Sequence, residues 1–115
     1  MGWENLDARN IFTACRRMKS KVDWERQSDS EWLFVGKDAD FREDEVEKLI
    51  QSFFEDAEVY LVIDRHNSFP IQLNKSAEKV RELLNERGIT LCNFAFNKIM
   101  EFNPIGVVKR GEVKE

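Results

Sequence analysis

Apolar side chains recur every three to four residues in three stretches of the chain, and this spacing predicts three helices. The first helix is expected from Ala8 to Lys21. Asp7 would be its N-cap, because its carboxylate can accept a free backbone N–H. The third helix is expected from Ser76 to Arg87, with Gly88 as the C′ residue after its end. The second helix has the clearest apolar stripe, formed by Val46, Leu49, Ile50, Phe53 and Phe54.

Short apolar runs between these helices predict strands. The run "EVYLVID" (58–64) is almost continuous and predicts a central buried strand. Pro70 in "FPIQL" (69–73) places that strand at an edge or a bulge, because proline cannot donate a ladder hydrogen bond. The remaining predicted strands are "EWLFVG" (31–36), "ITLCNFAF" (89–96) and "NPIGVVKRG" (103–111).

Residues 94–103 fit either a strand or a helix, because short apolar runs are ambiguous. The resulting order is α-β-α-β-β-α-β-β. It predicts an α/β or α+β fold in which about three helices pack against a mixed β-sheet. At 115 residues the chain is expected to be a single small domain over 1–115, with residues 110–115 as a flexible tail.

Composition favours a globular cytoplasmic protein. Apolar residues make up 42% of the chain and charged residues 35%. The N-terminus lacks the apolar region of a signal peptide, and no apolar run approaches the ~20 residues of a membrane span. Cys15 and Cys92 lack CxxC spacing, so we predict buried free thiols in a reducing compartment. The net charge of −4 argues against direct binding of nucleic acid.

Negative charge is concentrated in the stretch "KDADFREDEVEK" at positions 37–48. Its six acids are Asp38, Asp40, Glu43, Asp44, Glu45 and Glu47. A calcium loop beginning at the first of them would need an oxygen ligand at its fifth position, glycine at its sixth and glutamate at its twelfth. Those positions hold Arg42, Glu43 and Leu49. We therefore predict no metal site in this stretch.

The same stretch begins the second predicted helix. Asp40 and Glu43 have the spacing of a capping box, and the helix dipole stabilises each acid of the first turn by about 0.3–1 kcal/mol. These effects account for Asp40, Glu43 and Asp44, but not for the other three acids. The surplus charge favours a binding surface for a positively charged protein. An ordinary solvated helix start remains the alternative.

The sequence contains few residues that could serve in catalysis. His66 is the only histidine, and it lies in the predicted turn "DRHNS" with Asp64 and Ser68 nearby. Three residues of one turn do not reach triad geometry, which needs groups from different elements. The five glycines are scattered along the sequence, so their spacing matches no phosphate-binding loop motif. We predict no catalytic residue and no cofactor, and we add Trp32 and His66 to the six acids as candidate partner-binding residues.

The C-terminal stretch "FAFNKIMEFNPIGVVKRG" (94–111), the chain length and the acidic balance resemble immunity proteins of bacterial contact-dependent growth inhibition and related polymorphic toxin systems. This resemblance implies a cytosolic antidote that binds a cognate toxin, often a basic nuclease, at or near its active site. Two alternatives stay open. One is a non-catalytic regulatory or scaffold module, and the other is a small hydrolase that uses His66.

Overall fold

The computed structural model describes residues 7–25, 32–36, 40–84 and 87–113 of the chain. These residues form three helices: α1 (Ala8–Lys19), α2 (Glu43–Phe53) and α3 (Leu73–Leu83). They also form seven strands: β1 (Val22–Trp24), β2 (Leu33–Phe34), β3 (Glu58–Val62), β4 (Ser68–Gln72), β5 (Ile89–Cys92), β6 (Lys98–Asn103) and β7 (Val107–Val113). The prediction of a single small domain with three helices on one sheet is confirmed, in its α+β form.

The sheet has the strand order β1-β7-β6-β5-β3-β4, and β2 also pairs with β7. All pairs among the described strands are antiparallel, so the sheet is antiparallel rather than mixed. The predicted elements occur in the predicted order. Two further strands, the three-residue β1 and the six-residue β6, are added to them. β3 lies inside the sheet with residues 59–62 buried, and β4 with Pro70 lies at the edge, as predicted.

A hairpin turn decides the ambiguous segment 94–103 in favour of a strand. The Asn93 side-chain oxygen accepts hydrogen bonds from the backbone N–H groups of Asn97 (2.9 Å) and Lys98 (3.0 Å). Phe96 has a φ of 56°, a left-handed conformation that a helix cannot contain. This turn reverses the chain after β5, and β6 then pairs with β5 along its length.

The predicted flexible tail is wrong for residues 110–113, while 114–115 lie outside the described residues. Residues 110–113 belong to β7, which has β6 on one side and β1 with β2 on the other. Arg110 pairs with Glu25 at 2.9 Å. A Cβ on Gly111 would lie 2.5 Å from the Asp23 carbonyl oxygen, so this glycine permits the close pairing of β1 with β7. These contacts form only in the folded chain, and for that reason the local pattern indicated a tail.

Helices cover both faces of the sheet. Alternate residues of a strand point to opposite faces. Val59 and Leu61 lie in one buried cluster with the apolar stripes of α2 and α3. Tyr60 and Val62 lie in a second cluster with the α1 residues Ile11, Cys15 and Met18. The domain therefore has three layers, with α2 and α3 on one face of the sheet and α1 on the other.

Helix boundaries depend on tertiary contacts as well as on local sequence. Asp7 caps α1 as predicted, since its carboxylate accepts the N–H of Asn10 at 2.9 Å. The capping box at Asp40 is wrong, because Arg42 is the N-cap of α2 and makes no side-chain cap bond. The start of α2 is held instead by the Arg42 N–H, which donates to the Val35 carbonyl at 3.0 Å.

α3 also differs from its predicted bounds. It begins at Leu73, directly after β4, where the Leu73 N–H donates to the Ala57 carbonyl at 2.8 Å. It ends at Leu83 with Leu84 as its C-cap, so Gly88 is not the C′ residue. α1 ends at Lys19 rather than at residue 21, because β1 begins at Val22.

We expect Phe53→Ala to destabilise the domain severely. The Phe53 side chain is buried, and its ring meets that of Phe54 edge-on at 5.0 Å. Removing a buried Phe side chain costs about 3–5 kcal/mol, a large part of the stability of a small domain. Phe34→Ala is the matched control, because 56% of the Phe34 surface is exposed. Thermal denaturation should show a large loss for the first variant and a small one for the second. Similar melting temperatures would contradict the assigned packing.

Candidate partner-binding surface

The acids at the beginning of α2 are the first candidate site. We call Asp40, Glu43, Asp44, Glu45 and Glu47 the acidic start; Asp38 lies outside the described residues. All but Glu43, which is half-buried, are exposed. Glu43 lies 3.1 Å from Arg81 without the alignment of a hydrogen bond, and Glu45 lies 3.7 Å from Arg42. Asp40, Asp44 and Glu47 form no ion pair with described residues.

These acids spread around the helix instead of forming one stripe. At about 100° per residue, Asp44 and Glu47 lie roughly 60° apart, on the side away from the buried stripe. Glu45 lies roughly 160° from Glu47, beside Arg42. Asp44 and Glu47 therefore share one outward direction, whereas Glu45 faces β2 through Arg42, whose guanidinium lies 5.5 Å from the centre of the Phe34 ring.

Exposed apolar side chains gather next to the acidic start. Among the described residues, the large apolar side chains that remain exposed are Leu33 (36%), Phe34 (56%) and Ile105 (68%). Leu33 pairs with Val108, which is buried under α2, so Leu33 faces that layer. Phe34 pairs with Val107 and faces the other way. Ile105 lies in the β6–β7 turn, immediately before Gly106. We call Phe34 and Ile105 the apolar patch.

Two glycines bring the acidic start and the apolar patch together. The Gly106 carbonyl accepts the N–H groups of Val35 (2.8 Å) and Gly36 (3.0 Å). Both glycines have positive φ, 83° at Gly36 and 101° at Gly106. A Cβ on Gly36 would lie 2.2 Å from the Asp40 carbonyl oxygen, and one on Gly106 would lie 3.1 Å from the Gly36 carbonyl carbon. Only glycine permits this packing of the β2 end, the β6–β7 turn and the residues before α2.

Trp32 belongs to an internal contact near the same patch. The Lys109 ammonium lies 4.1 Å from the centre of the Trp24 ring and 4.8 Å from that of Trp32. This cation–π arrangement joins β1, β7 and the residue before β2. Trp32 remains half-exposed and lies two residues from Phe34, on the same side of the chain by strand alternation. The structure therefore brings Trp32 close to the apolar patch.

His66 lies elsewhere. Its turn joins β3 to the edge strand β4, whereas β2 lies at the opposite edge of the sheet. Four strands separate β4 from β2, which corresponds to about 24 Å at normal strand spacing. The structure therefore does not bring His66 together with Trp32. The His66 side chain is exposed and makes no hydrogen bond or ion pair with described residues.

The groups beside His66 hold the turn together. The Asp64 carboxylate accepts the backbone N–H groups of His66 and Asn67, each at 2.8 Å. Arg87 pairs with the same carboxylate, and this pair together with the backbone bonds holds the pKa of Asp64 well below its usual range. The Ser68 hydroxyl donates to the Asp64 backbone carbonyl at 2.6 Å. Asp64 does not orient the imidazole, and Ser68 is not directed at it, so these residues form no catalytic triad.

A cleft of about 220 Å³ lies between α1 and the sheet. Lys19 and Glu101, which line it, pair with each other at 2.9 Å. Cys15 forms part of its wall but is almost completely buried, as is Cys92, so the prediction of buried thiols is confirmed. Their mutual hydrogen bond lowers the pKa of Cys15, helped by the Lys19 ammonium, and raises that of Cys92 together with burial.

No group of three or more His, Cys, Asp or Glu side chains in the described part of the chain is placed to hold a metal ion. In the same part of the chain, no helix combines the length and apolarity needed to cross a membrane. Comparisons with protein-family models, curated proteins and solved structures find no match. Function must therefore be inferred from the geometry of the chain itself.

Sequence reasoning did not identify Phe34 and Ile105. The stretch "EWLFVG" predicts a short strand, but its four consecutive apolar residues, Trp32 to Val35, face both sides of that strand. One side can remain open when the strand lies at an edge. Ile105 follows Pro104 and precedes Gly106, a turn sequence that would place an apolar side chain at the surface. These two signals could have indicated two exposed apolar side chains, but not that they lie on adjoining segments.

We expect Asp64→Asn to reduce the stability of the domain at neutral pH and to weaken its dependence on acid. The folded-state pKa of Asp64 lies below the unfolded value of about 3.9. The stabilisation is therefore complete above that value and is lost as pH falls below it. Melting temperatures at pH 7, 5, 3 and 2 should converge for wild type and variant. Glu78→Gln, at an exposed acid without an ion pair to described residues, is the control. Parallel curves for wild type and Asp64→Asn would refute the assignment.

Proposed function

We propose that this protein is an immunity-type inhibitor that acts in the bacterial cytoplasm. It binds a cognate toxin domain, a positively charged and nuclease-like protein, and neutralises it by covering the active site or the substrate surface. The observation that carries the proposal is the charge of Asp40, Asp44 and Glu47, which form no ion pair with described residues, at a helix start that is bonded to the segment of the exposed Phe34.

Electrostatics supports a basic protein as the partner. Like charges held close together repel, and Asp44 and Glu47 form no ion pair with a described cation. A basic partner would offset this repulsion and would be attracted over a Debye length of about 8 Å at physiological salt. Nuclease surfaces that bind nucleic acid are positively charged, and carboxylates can occupy the positions of phosphates. The net charge of −4 for the whole chain acts in the same direction.

The arrangement around His66 favours binding over catalysis. Asp64 and Ser68, the nearby groups that could assist an imidazole, make hydrogen bonds within the turn. An inhibitor that acts by stoichiometric binding needs no general base. The turn also lies at the edge of the sheet opposite β2 and Phe34, so His66 is proposed to contribute neither to catalysis nor to binding at Phe34.

The decisive experiment uses the C-terminal domain of the protein encoded immediately upstream, expressed from an inducible plasmid in a bacterial host. Co-expression of this chain should restore growth, and the two proteins should co-purify in a one-to-one complex. His66→Ala should rescue growth as well as wild type does. Failure of wild type to bind the domain would refute the proposal, and loss of rescue by folded His66→Ala would favour an enzyme.

A second prediction tests the charge. We expect reversal of Asp44, Glu45 and Glu47 to Lys to lower the association rate with that domain by about tenfold or more. Reversal of Glu55, Asp56 and Glu58 to Lys is the matched control, because it changes the net charge equally at exposed positions beyond the other end of α2. The wild-type rate should fall as salt is raised. Equal association rates for the two triple variants would show that only net charge matters.

A further inference from the structure

Two of the three large apolar side chains that remain exposed among the described residues lie on adjoining segments. Phe34 and Ile105, 56% and 68% exposed, lie on two segments joined by the hydrogen bonds from Val35 and Gly36 to Gly106. Isolated exposed apolar residues are ordinary, but an aromatic and a branched aliphatic side chain on adjoining segments are typical of an interaction surface. Their concentration beside the acidic start requires an explanation.

We infer that Phe34 and Ile105 form the apolar centre of the surface that binds the toxin domain, and that the partner presents an apolar recess surrounded by lysine or arginine side chains. This inference rests on the proposed function and names the residues through which it acts.

The contacts around Phe34 connect the apolar patch to the acids. Arg42 lies over the Phe34 ring and pairs with Glu45. Asp40 packs through its backbone against Gly36 and makes no ion pair with described residues. On the side of α2, the exposed Phe34 ring is thus bordered by Arg42, which pairs with Glu45, and by the segment that carries Asp40. This matches the usual organisation of protein interfaces, in which a desolvated anchor lies inside a polar rim.

The backbone of this surface is also held in one arrangement before a partner binds. The positive-φ glycines and the two bonds to the Gly106 carbonyl hold the segments in one arrangement. Little backbone entropy is therefore lost when a partner binds. A Phe side chain has only two rotatable angles, so ordering it costs less than ordering a long polar side chain.

Charge selects the class of occupant. A second copy of this chain would bring two acidic starts together, and Asp40, Asp44 and Glu47 would repel their equivalents. Nucleic acid and anionic lipid would be repelled for the same reason. A basic protein surface satisfies both features, because cations can pair with the rim while an apolar recess receives Phe34.

The test compares the double variant Phe34→Ser, Ile105→Ser with a matched control, Ala57→Ser with Pro70→Ser, at exposed apolar positions away from the patch. The probe is the C-terminal domain encoded immediately upstream, with rates measured by surface plasmon resonance. We expect the patch variant to bind about 100-fold more weakly, almost entirely through faster dissociation. The control should bind like wild type. Phe34→Arg should weaken binding similarly, because it directs a cation at the basic partner.

The possible outcomes separate the two proposals. If wild type binds and the folded patch variant dissociates at the wild-type rate, this inference fails while the proposed function stands. If wild type does not bind, the proposed function fails and this inference fails with it. Sedimentation of wild type alone provides a further test. A dimer that the patch variant abolishes would identify a second copy as the occupant and overturn the inference.

Discussion

Burial of both faces of one antiparallel sheet is the constraint on which this structure depends. β3 shows this constraint most directly, because both of its faces are buried. Val59 and Leu61 face α2 and α3, while Tyr60 and Val62 face α1. Three helices of 11 or 12 residues must cover seven strands. α1 packs against β3 and β4, on the β4 side of the sheet. At the opposite edge, β2 and the β6–β7 turn carry exposed Phe34 and Ile105. Among the described elements, α1 thus lies toward the other edge of the sheet from Phe34 and Ile105, which remain exposed.

The glycine contact converts this exposed edge into a defined surface. The Gly106 carbonyl holds the end of β2, and the Arg42 N–H, bonded to Val35, holds the beginning of α2 against the same strand. The charged helix end and the apolar edge therefore share one rigid corner. The position of α2 is set by backbone contacts, so the acids are not needed as caps.

Local sequence predicted the elements whose stability is local. The α2 stripe, the Asp7 cap and the buried β3 run follow from periodicity and capping chemistry alone. Distant contacts decided the remainder. β6 depends on the Asn93 turn, 110–113 on pairing with β1, and the start of α3 on the Ala57 carbonyl. The acidic start was visible as charge, but the apolar patch was not, because its two segments are about 70 residues apart in the chain. Only the fold shows that they meet.

Charge and apolar area contribute different parts of the proposed binding. Exposed carboxylates are well solvated, so pairing them at a rim adds little affinity, although it speeds encounter. Phe34 and Ile105 act over contact distances and lose water only in the final complex, so they govern how long the complex lasts. Arg42 links the two by stacking on Phe34 and pairing with Glu45. It pairs with one acid beside the apolar anchor, whereas Asp40 and Asp44, which form no ion pair with described residues, would attract cations of the proposed partner. On such a surface, the charged side chains set the rate of association and the apolar side chains set the rate of dissociation.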